Sequence, residues 1–98
     1  MTDRELLELA AKAIGRPELM AGAEYGLEGM EWNPLTDDGD ALRLAVRLQI
    51  EIGFSPDERV WCSLAGEPAL KEALTADLLA ATRRAIVRAA AEIGRAMP

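Results

Sequence analysis

The fold is decided by the segment from residue 48 to residue 64, which reads Leu48-Gln49-Ile50-Glu51-Ile52-Gly53-Phe54-Ser55-Pro56-Asp57-Glu58-Arg59-Val60-Trp61-Cys62-Ser63-Leu64. Apolar and polar residues alternate on both sides of a Ser-Pro-Asp-Glu turn, which is the period of half-buried strands. Opposite residues of an antiparallel pair must share a face. The segment therefore predicts a hairpin with three inward pairs: Phe54 with Val60, Ile52 with Cys62, and Ile50 with Leu64.

The other face of this hairpin carries one tryptophan. The predicted register places Trp61 directly across from Gly53, where an indole ring can cover the bare backbone of a glycine. A loop shorter by one residue would pair Ile52 with Trp61 and mix the two faces. The five-residue loop is therefore the prediction.

Helices are expected on both sides of the hairpin. The first runs from 3 to 14, with Thr2 as N-cap, Glu5 as its capping-box partner and Gly15 just beyond its end. The second runs from 37 to 48 and begins after Thr36, the predicted cap. Its predicted buried stripe contains Leu42, Ala45 and Val46.

The C-terminal region is predicted to be helical. Thr75 would cap a long third helix over 76–95, whose buried face carries Leu78, Thr82, Ile86, Ala89 and Ile93. A short helix from Ala69 to Leu74 would precede it, because Pro68 suits a first helical position. One unbroken helix from Pro68 is the alternative that the apolar spacing leaves open.

Residues 16–31 are rich in glycine and glutamate. The parity of Tyr25, Leu27, Met30 and Trp32 favours a possible strand over 25–32 with a bulge at Gly29. A phosphate-binding loop is disfavoured, because no Gly-Lys-Ser/Thr follows the glycines and the flanks hold glutamates. The expected architecture is α+β: a small antiparallel sheet packed with three helices in a single domain over 1–98.

The charge of the chain is −6 and is concentrated in its first part. Residues 1–58 carry 13 acids and 5 bases, whereas residues 59–98 carry 4 acids and 6 bases. An acidic domain repels phosphates, so general nucleic-acid binding is disfavoured. A basic protein surface, including one that normally holds nucleic acid, remains a fitting partner. The simpler interpretation is that the negative charge only keeps a small protein soluble.

The composition argues against most catalytic and metal chemistry. There is no histidine, which removes the commonest general base and metal ligand. The single cysteine, Cys62, fits a reducing cytoplasm and is predicted to lie in the core. The first residues do not form a signal peptide, and no apolar run is long enough to cross a membrane. We therefore expect a non-enzymatic cytoplasmic protein without cofactor or metal.

The first candidate site is the stretch that begins at Trp32-Asn33-Pro34 and continues into an acid-loaded helix start. Asn33 with Asp37, Asp38 and Asp40 could hold a ribose hydroxyl while Trp32 stacks on a base. The alternative is a turn, a helix cap and a hydrophobic plug, since helix dipoles favour acids in the first turn. A calcium site is disfavoured because the later ligands of a calcium loop are absent.

Arginines supply the remaining candidate site residues. Arg43 and Arg47 are helical neighbours on the second helix, as are Arg84 and Arg88 on the third. Together with Trp61 they could bind phosphates or an acidic partner. The alternatives are solvated helix faces and, for Arg47, neutralisation of the carbonyls at the end of its own helix.

The chain resembles a family of small proteins of tailed phages and prophages, the phage α/β/α (ABA) sandwich family. The resemblance rests on three stretches: residues 2–13 (beginning Thr2-Asp3-Arg4-Glu5-Leu6-Leu7), residues 32–48, and residues 80–94 (beginning Ala80-Ala81-Thr82-Arg83-Arg84-Ala85). It implies an α+β fold with a small antiparallel sheet, no known enzyme activity and no catalytic residues.

Two functional hypotheses follow, the first from the acidic residues 1–58 and the second from Trp32, Asn33, Trp61 and the arginines. In the first, the protein acts in the bacterial host cell and counters immunity by blocking a host defence protein through an acidic face. In the second, it is a sponge for a small nucleotide signal, such as a cyclic oligonucleotide or an ADP-ribose derivative. A structural accessory is a third class that no feature favours. A homo-oligomer is expected, because the core is small and the last helix is rich in alanine.

Overall fold

A computed structural model describes residues 1–56, 59–63, 70–73 and 77–98. Along the chain the regular elements are α1 (Asp3–Ala13), α2 (Asp38–Leu48), β1 (Glu51–Ser55), β2 (Arg59–Ser63), β3 (Leu70–Ala73) and α3 (Leu78–Ala96). Two short 3₁₀ turns, Pro17–Met20 and Ala23–Tyr25, lie between α1 and α2. The architecture is α+β, as the sequence predicts.

Helix α1 begins and ends where its capping residues predict. The Thr2 hydroxyl accepts from the Glu5 N–H at 3.1 Å, and the Glu5 carboxylate accepts from the Thr2 N–H at 3.1 Å. These bonds from Thr2 lower the pKa of Glu5. After the helix, Gly15 has φ +69°, a left-handed conformation that glycine adopts without strain. Local chemistry alone therefore fixes this element.

The hairpin has the predicted register. Ile52 pairs with Cys62, Phe54 with Val60, and Gly53 with Trp61. A Cβ atom at Gly53 would overlap the indole ring, which confirms that the ring covers this glycine. Val60 and Cys62 lie fully in the core. The predicted partner of Ile50, Leu64, is outside the described residues.

A third strand replaces the predicted short helix. Strand β3 pairs antiparallel with β2, and the strand order is β1-β2-β3. The helix expected over 69–74 and the alternative of an unbroken helix from Pro68 are therefore both wrong over residues 70–73. The predicted cap Thr75 lies outside the described residues, and Asp77 caps α3 by accepting from the Ala80 N–H at 2.9 Å.

Helix α3 is the centre of the fold. It packs against α1 and α2 and against β2 and β3. Its buried residues are Ala81, Ala85, Ile86, Val87, Ala89, Ala90, Ala91 and Gly94, which surround most of the helix axis. Small side chains let the neighbouring elements approach closely on several sides. No helix among the described residues is long and apolar enough to span a membrane.

Residues 25–32 do not form the strand that their parity favours. They follow the 3₁₀ turn Ala23–Tyr25 and run as bends and irregular chain without a sheet partner. Gly22 and Gly26 have φ of +88° and +114°, so the chain turns sharply at both positions. The predicted bulge at Gly29 is wrong as well, because there is no strand to interrupt.

Helix α2 occupies the predicted span, but two details differ. Its N-cap is Asp37, whose carboxylate accepts from the Asp40 N–H at 2.8 Å, rather than Thr36. Its buried residues are Ala41, Leu44 and Ala45, whereas the expected Leu42 and Val46 are 60% and 68% exposed. The buried stripe is narrower than the apolar pattern, because this helix packs mainly on α3.

The corrected cap leads to a first prediction. Asp37→Ala should lower the free energy of unfolding by about 1 kcal/mol, because it removes the side-chain acceptor at the start of α2. Thr36→Ala is the matched control and should cost no more than a few tenths, since the Thr36 hydroxyl makes only a 3.4 Å bond to the Asn33 carbonyl. Urea unfolding measures the stability of both variants. A larger loss in Thr36→Ala than in Asp37→Ala would show that Thr36 is the N-cap.

Candidate functional site

The acidic cluster at the start of α2 is neutralised by arginines. Arg43 donates to Asp40 at 2.8 Å and lies 3.9 Å from Asp37. The second oxygen of Asp40 accepts from the backbone N–H of Asn33 at 3.0 Å. The acids therefore cap and brace a helix start, which is the structural alternative considered for this segment.

Arg83 completes this neutralisation from the far end of the chain. Its guanidinium donates to Asp38 at 2.6 Å and to the Leu35 carbonyl at 2.8 Å. Only 16% of its side chain is exposed, so Arg83 is largely buried although it belongs to a charged stretch of α3. Arg83 ties α3 to the turn that precedes α2.

Asn33 is buried, and its side-chain oxygen and its carbonyl are both engaged in its own turn. Its side-chain oxygen accepts from the Leu35 N–H at 3.0 Å, across Pro34. Its carbonyl accepts from the backbone N–H groups of Thr36 and Asp37 at 3.1 and 2.9 Å. These bonds shape an Asx turn, the local structural role that was the alternative to ligand binding at this residue.

The arginine pair of α3 binds carboxylates of the same chain. Arg88 and Arg84 contact Glu72 of β3 at 2.8 and 3.4 Å, and Arg84 also contacts Asp3 at 3.0 Å. They line a cavity of about 390 Å³ together with Met1, Leu6 and Glu92. Sequence reasoning missed Glu72 because it placed residues 69–74 on a helix. The arrangement is an internal ion-pair network.

The remaining arginine and tryptophan candidates are spread over the molecule. Arg47 stands in the last turn of α2, as expected, and also donates to the Ile14 carbonyl at the end of α1 at 3.4 Å. Trp61 lies over Gly53 on the face of the sheet opposite to Val60 and Cys62. The structure therefore does not gather the predicted site residues into one place.

Trp32 belongs to a different arrangement, a groove formed by residues 18–32. The indole is half-buried and packs against the core on one side. It also lines a groove of about 430 Å³. The full lining comprises Glu18, Leu19, Ala21, Gly22, Tyr25, Gly26, Gly29, Met30, Glu31 and Trp32. We call this feature the acidic groove.

Two carboxylates line the acidic groove, Glu18 and Glu31, and two more, Glu24 and Glu28, lie in the same segment outside the lining. Residues 16–32 contain Arg16 and four glutamates: Glu18, Glu24, Glu28 and Glu31. Arg16 lies 3.0 Å from Glu18. A hydrogen bond from its own backbone, and then Arg16, lower the pKa of Glu18. The other three carboxylates have no cationic partner among the described residues, in contrast to those at the start of α2.

Glycines leave the wall of the groove open. A Cβ atom at Gly22, Gly26 or Gly29 would meet no atom within 4 Å. Beside them Tyr25 is 90% exposed, which is unusual for so large a ring. Backbone groups of the wall are therefore accessible, and its ionisable groups in the described part of the chain are carboxylates and a phenol. The sequence signal for this site is the interleaving of glycines and glutamates.

Cys62 is not placed for nucleophilic chemistry. Burial raises the pKa of its thiol to about 11, so the thiolate is scarce at neutral pH. Its neighbours in the core are aliphatic side chains. In the described residues, no group of three or more metal-type ligands comes together either.

Comparisons with known proteins add no relative to this description. No protein-family model, no curated protein and no solved structure matches the chain. The resemblance to the phage family therefore stays a prediction.

Proposed function

We propose that the protein is a non-enzymatic binding protein that blocks a partner by holding one of its basic segments in the acidic groove. The observation that supports this is the difference between the two acidic regions. The acids at 37–40 are paired with arginines, whereas Glu31 in the groove lining, and Glu24 and Glu28 in the same segment, have no such partner among the described residues. Unpaired carboxylates beside an aromatic wall favour a cationic ligand.

The chemistry of the groove matches an arginine or lysine side chain. Carboxylates such as Glu31 accept charge-assisted hydrogen bonds from a guanidinium or an ammonium group. The indole of Trp32 offers a π face that attracts the same cations. Tyr25, now exposed, would lose contact with water on binding and contribute apolar area. Anionic ligands would find no lysine or arginine among the described residues of the lining.

The acidic groove would be the acidic face through which the protein blocks its partner. An acidic surface can occupy a basic surface that otherwise holds nucleic acid phosphates, which would block the partner. If the resemblance to phage proteins holds, the partner would be a host defence protein of the bacterial cell. Association would be fast and would weaken with salt, because opposite charges steer the encounter.

The nucleotide-sponge hypothesis has no comparable support. Its phosphates would need arginines near an exposed tryptophan, but Arg43 pairs with Asp40, and Arg84 and Arg88 pair with Glu72. The cavity of Arg84 and Arg88 and the groove of Trp32 have no lining residue in common. A cationic ligand therefore remains the proposal.

A binding experiment tests the acidic groove directly. We expect a short arginine-rich peptide to bind and to change tryptophan emission, and Glu31→Gln to weaken binding about tenfold, the equivalent of one charge-assisted hydrogen bond. Glu8→Gln is the matched control, because it removes one exposed carboxylate from α1, outside the groove. Calorimetry at low and physiological salt measures both.

Three outcomes would contradict the proposal. The first is the absence of peptide binding, and the second is an equal loss in Glu31→Gln and Glu8→Gln. The third is binding of cyclic dinucleotides or ADP-ribose in place of the peptide, which would favour the sponge. Melting temperatures of the two variants show whether either substitution acts through stability.

A further inference from the structure

Strand β1 is an edge of the sheet in the described part of the chain. It pairs with β2 on one side, and the strand order is β1-β2-β3. Residues 25–32, the sequence-predicted third strand, are irregular and do not pair with the other side of β1. An edge strand presents backbone N–H and C=O groups that can pair with a further strand.

The side chains of β1 also indicate that a partner surface would cover this strand. Alternation places Phe54 on the inward face with Ile52, and the register confirms this placement. Phe54 is nevertheless 63% exposed, and Ile52 is only partly buried. The apolar side chains of Ile52 and Phe54 therefore stay partly uncovered at the edge of the sheet, where a further strand would cover them.

The sequence of β1 is symmetric about Gly53 in its pattern of polar and apolar residues, so a second copy of the strand running antiparallel would match it. The order is polar, apolar, glycine, apolar, polar: Glu51, Ile52, Gly53, Phe54 and Ser55. In an isologous contact the same surface of each copy meets the other, which requires such a pattern. We propose that two copies of the chain pair antiparallel through β1, with Gly53 on the two-fold axis and the sheet continuous across both copies.

This register brings favourable pairs together. Ile52 lies opposite Phe54 of the second copy, a β-branched and aromatic pair of the kind that stabilises sheets. Glu51 lies opposite Ser55 of the second copy, whose neighbour on the next strand is Arg59. A carboxylate and a guanidinium therefore share one face across the junction. A parallel pairing would instead place Glu51 beside Glu51 and lose this complementarity.

The proposed dimer is independent of the function proposed for the acidic groove. Measuring the mass of the protein in solution tests it. Sedimentation or light scattering at tens to hundreds of micromolar should give twice the chain mass of 10.6 kDa. Phe54→Glu should give the single-chain mass. Leu79→Glu is the matched control, because Leu79 is 60% exposed on α3, and it should leave the dimer intact. A single-chain mass for the unmodified protein would overturn the proposal.

Disulfide formation tests the register without disturbing the apolar pair. A mixture of Glu51→Cys and Ser55→Cys chains should form a disulfide-linked dimer on mild oxidation, because these positions face each other across the two-fold axis. Each variant alone should stay largely unlinked, and the buried Cys62 should not react. Linking by Glu51→Cys alone, or a dimer that never links in the mixture, would overturn pairing through β1.

Discussion

Replacing Cys62 with aspartate is expected to lower the free energy of unfolding by about 4 kcal/mol at neutral pH. Cys62 is fully buried on β2, among aliphatic residues of the core. A carboxylate there loses its water and gains no cation. Cys62→Ala is the control, because it removes the sulfur without adding charge, and should cost about 2 kcal/mol or less. Urea unfolding compares the variants, and equal stability of Cys62→Asp and the unmodified protein would place Cys62 at the surface.

The same burial predicts a pH dependence in the unmodified protein. The unfolded thiol ionises near its ordinary pKa of 9.0, whereas burial raises the pKa in the folded protein to about 11. Ionisation therefore favours the unfolded state first, so stability is full below pH 9 and falls as the pH rises to about 11. The fall from this group is on the order of 3 kcal/mol. Cys62→Ala should lack it, and identical alkaline slopes of the two proteins would contradict the burial.

Elements that are specified by residues close together in the sequence could be predicted from the sequence. The capping box of Thr2 and Glu5 and the left-handed Gly15 set the ends of α1 within a few residues of chain. The hairpin register followed from alternation and one loop length, because a shift by one residue would move every inward side chain outward. These features were confirmed since no distant contact is needed to specify them.

Strand β3 could not be predicted in the same way. Leu70-Lys71-Glu72-Ala73 consists of residues that favour helices, and its spacing continues the stripe of α3. Pairing with β2 and the ion pairs of Glu72 with Arg84 and Arg88 outweigh that preference. Tertiary context overrides propensity here, as it commonly does for strands.

The candidate site shows the same division between local and distant information. Spacing identified the acids at 37–40 as a helix start, but Arg83 lies 45 positions beyond Asp38 and its contact was not visible in the pattern. The glutamates of the acidic groove show no regular period, so nothing in the sequence distinguished paired from unpaired carboxylates. Only the three-dimensional arrangement separates the neutralised cluster from the groove.

Gly94→Ala is expected to lower the free energy of unfolding by about 3 kcal/mol, the opposite of its effect in an exposed helix. Alanine normally stabilises a helix interior by about 1 kcal/mol relative to glycine. At Gly94, however, a Cβ atom would overlap the backbone carbonyl of Leu9, so α1 and α3 would have to separate. Gly39→Ala is the control, because the nearest atoms to its Cβ would be the side-chain ends of Arg43 and Asp37 at 3.2 Å, with no backbone atom in the way.

The clash at Gly94 involves a backbone atom, so no second substitution at Leu9 can relieve it. The strain must therefore appear as movement of α1 away from α3, and it should be visible before global unfolding. Hydrogen exchange in Gly94→Ala should accelerate for the amides of residues 6–11 more than for those of β1 and β2, because α1 packs closely on α3. Uniform acceleration across all elements, or a stability equal to that of Gly39→Ala, would show that the two helices are not held together at Gly94.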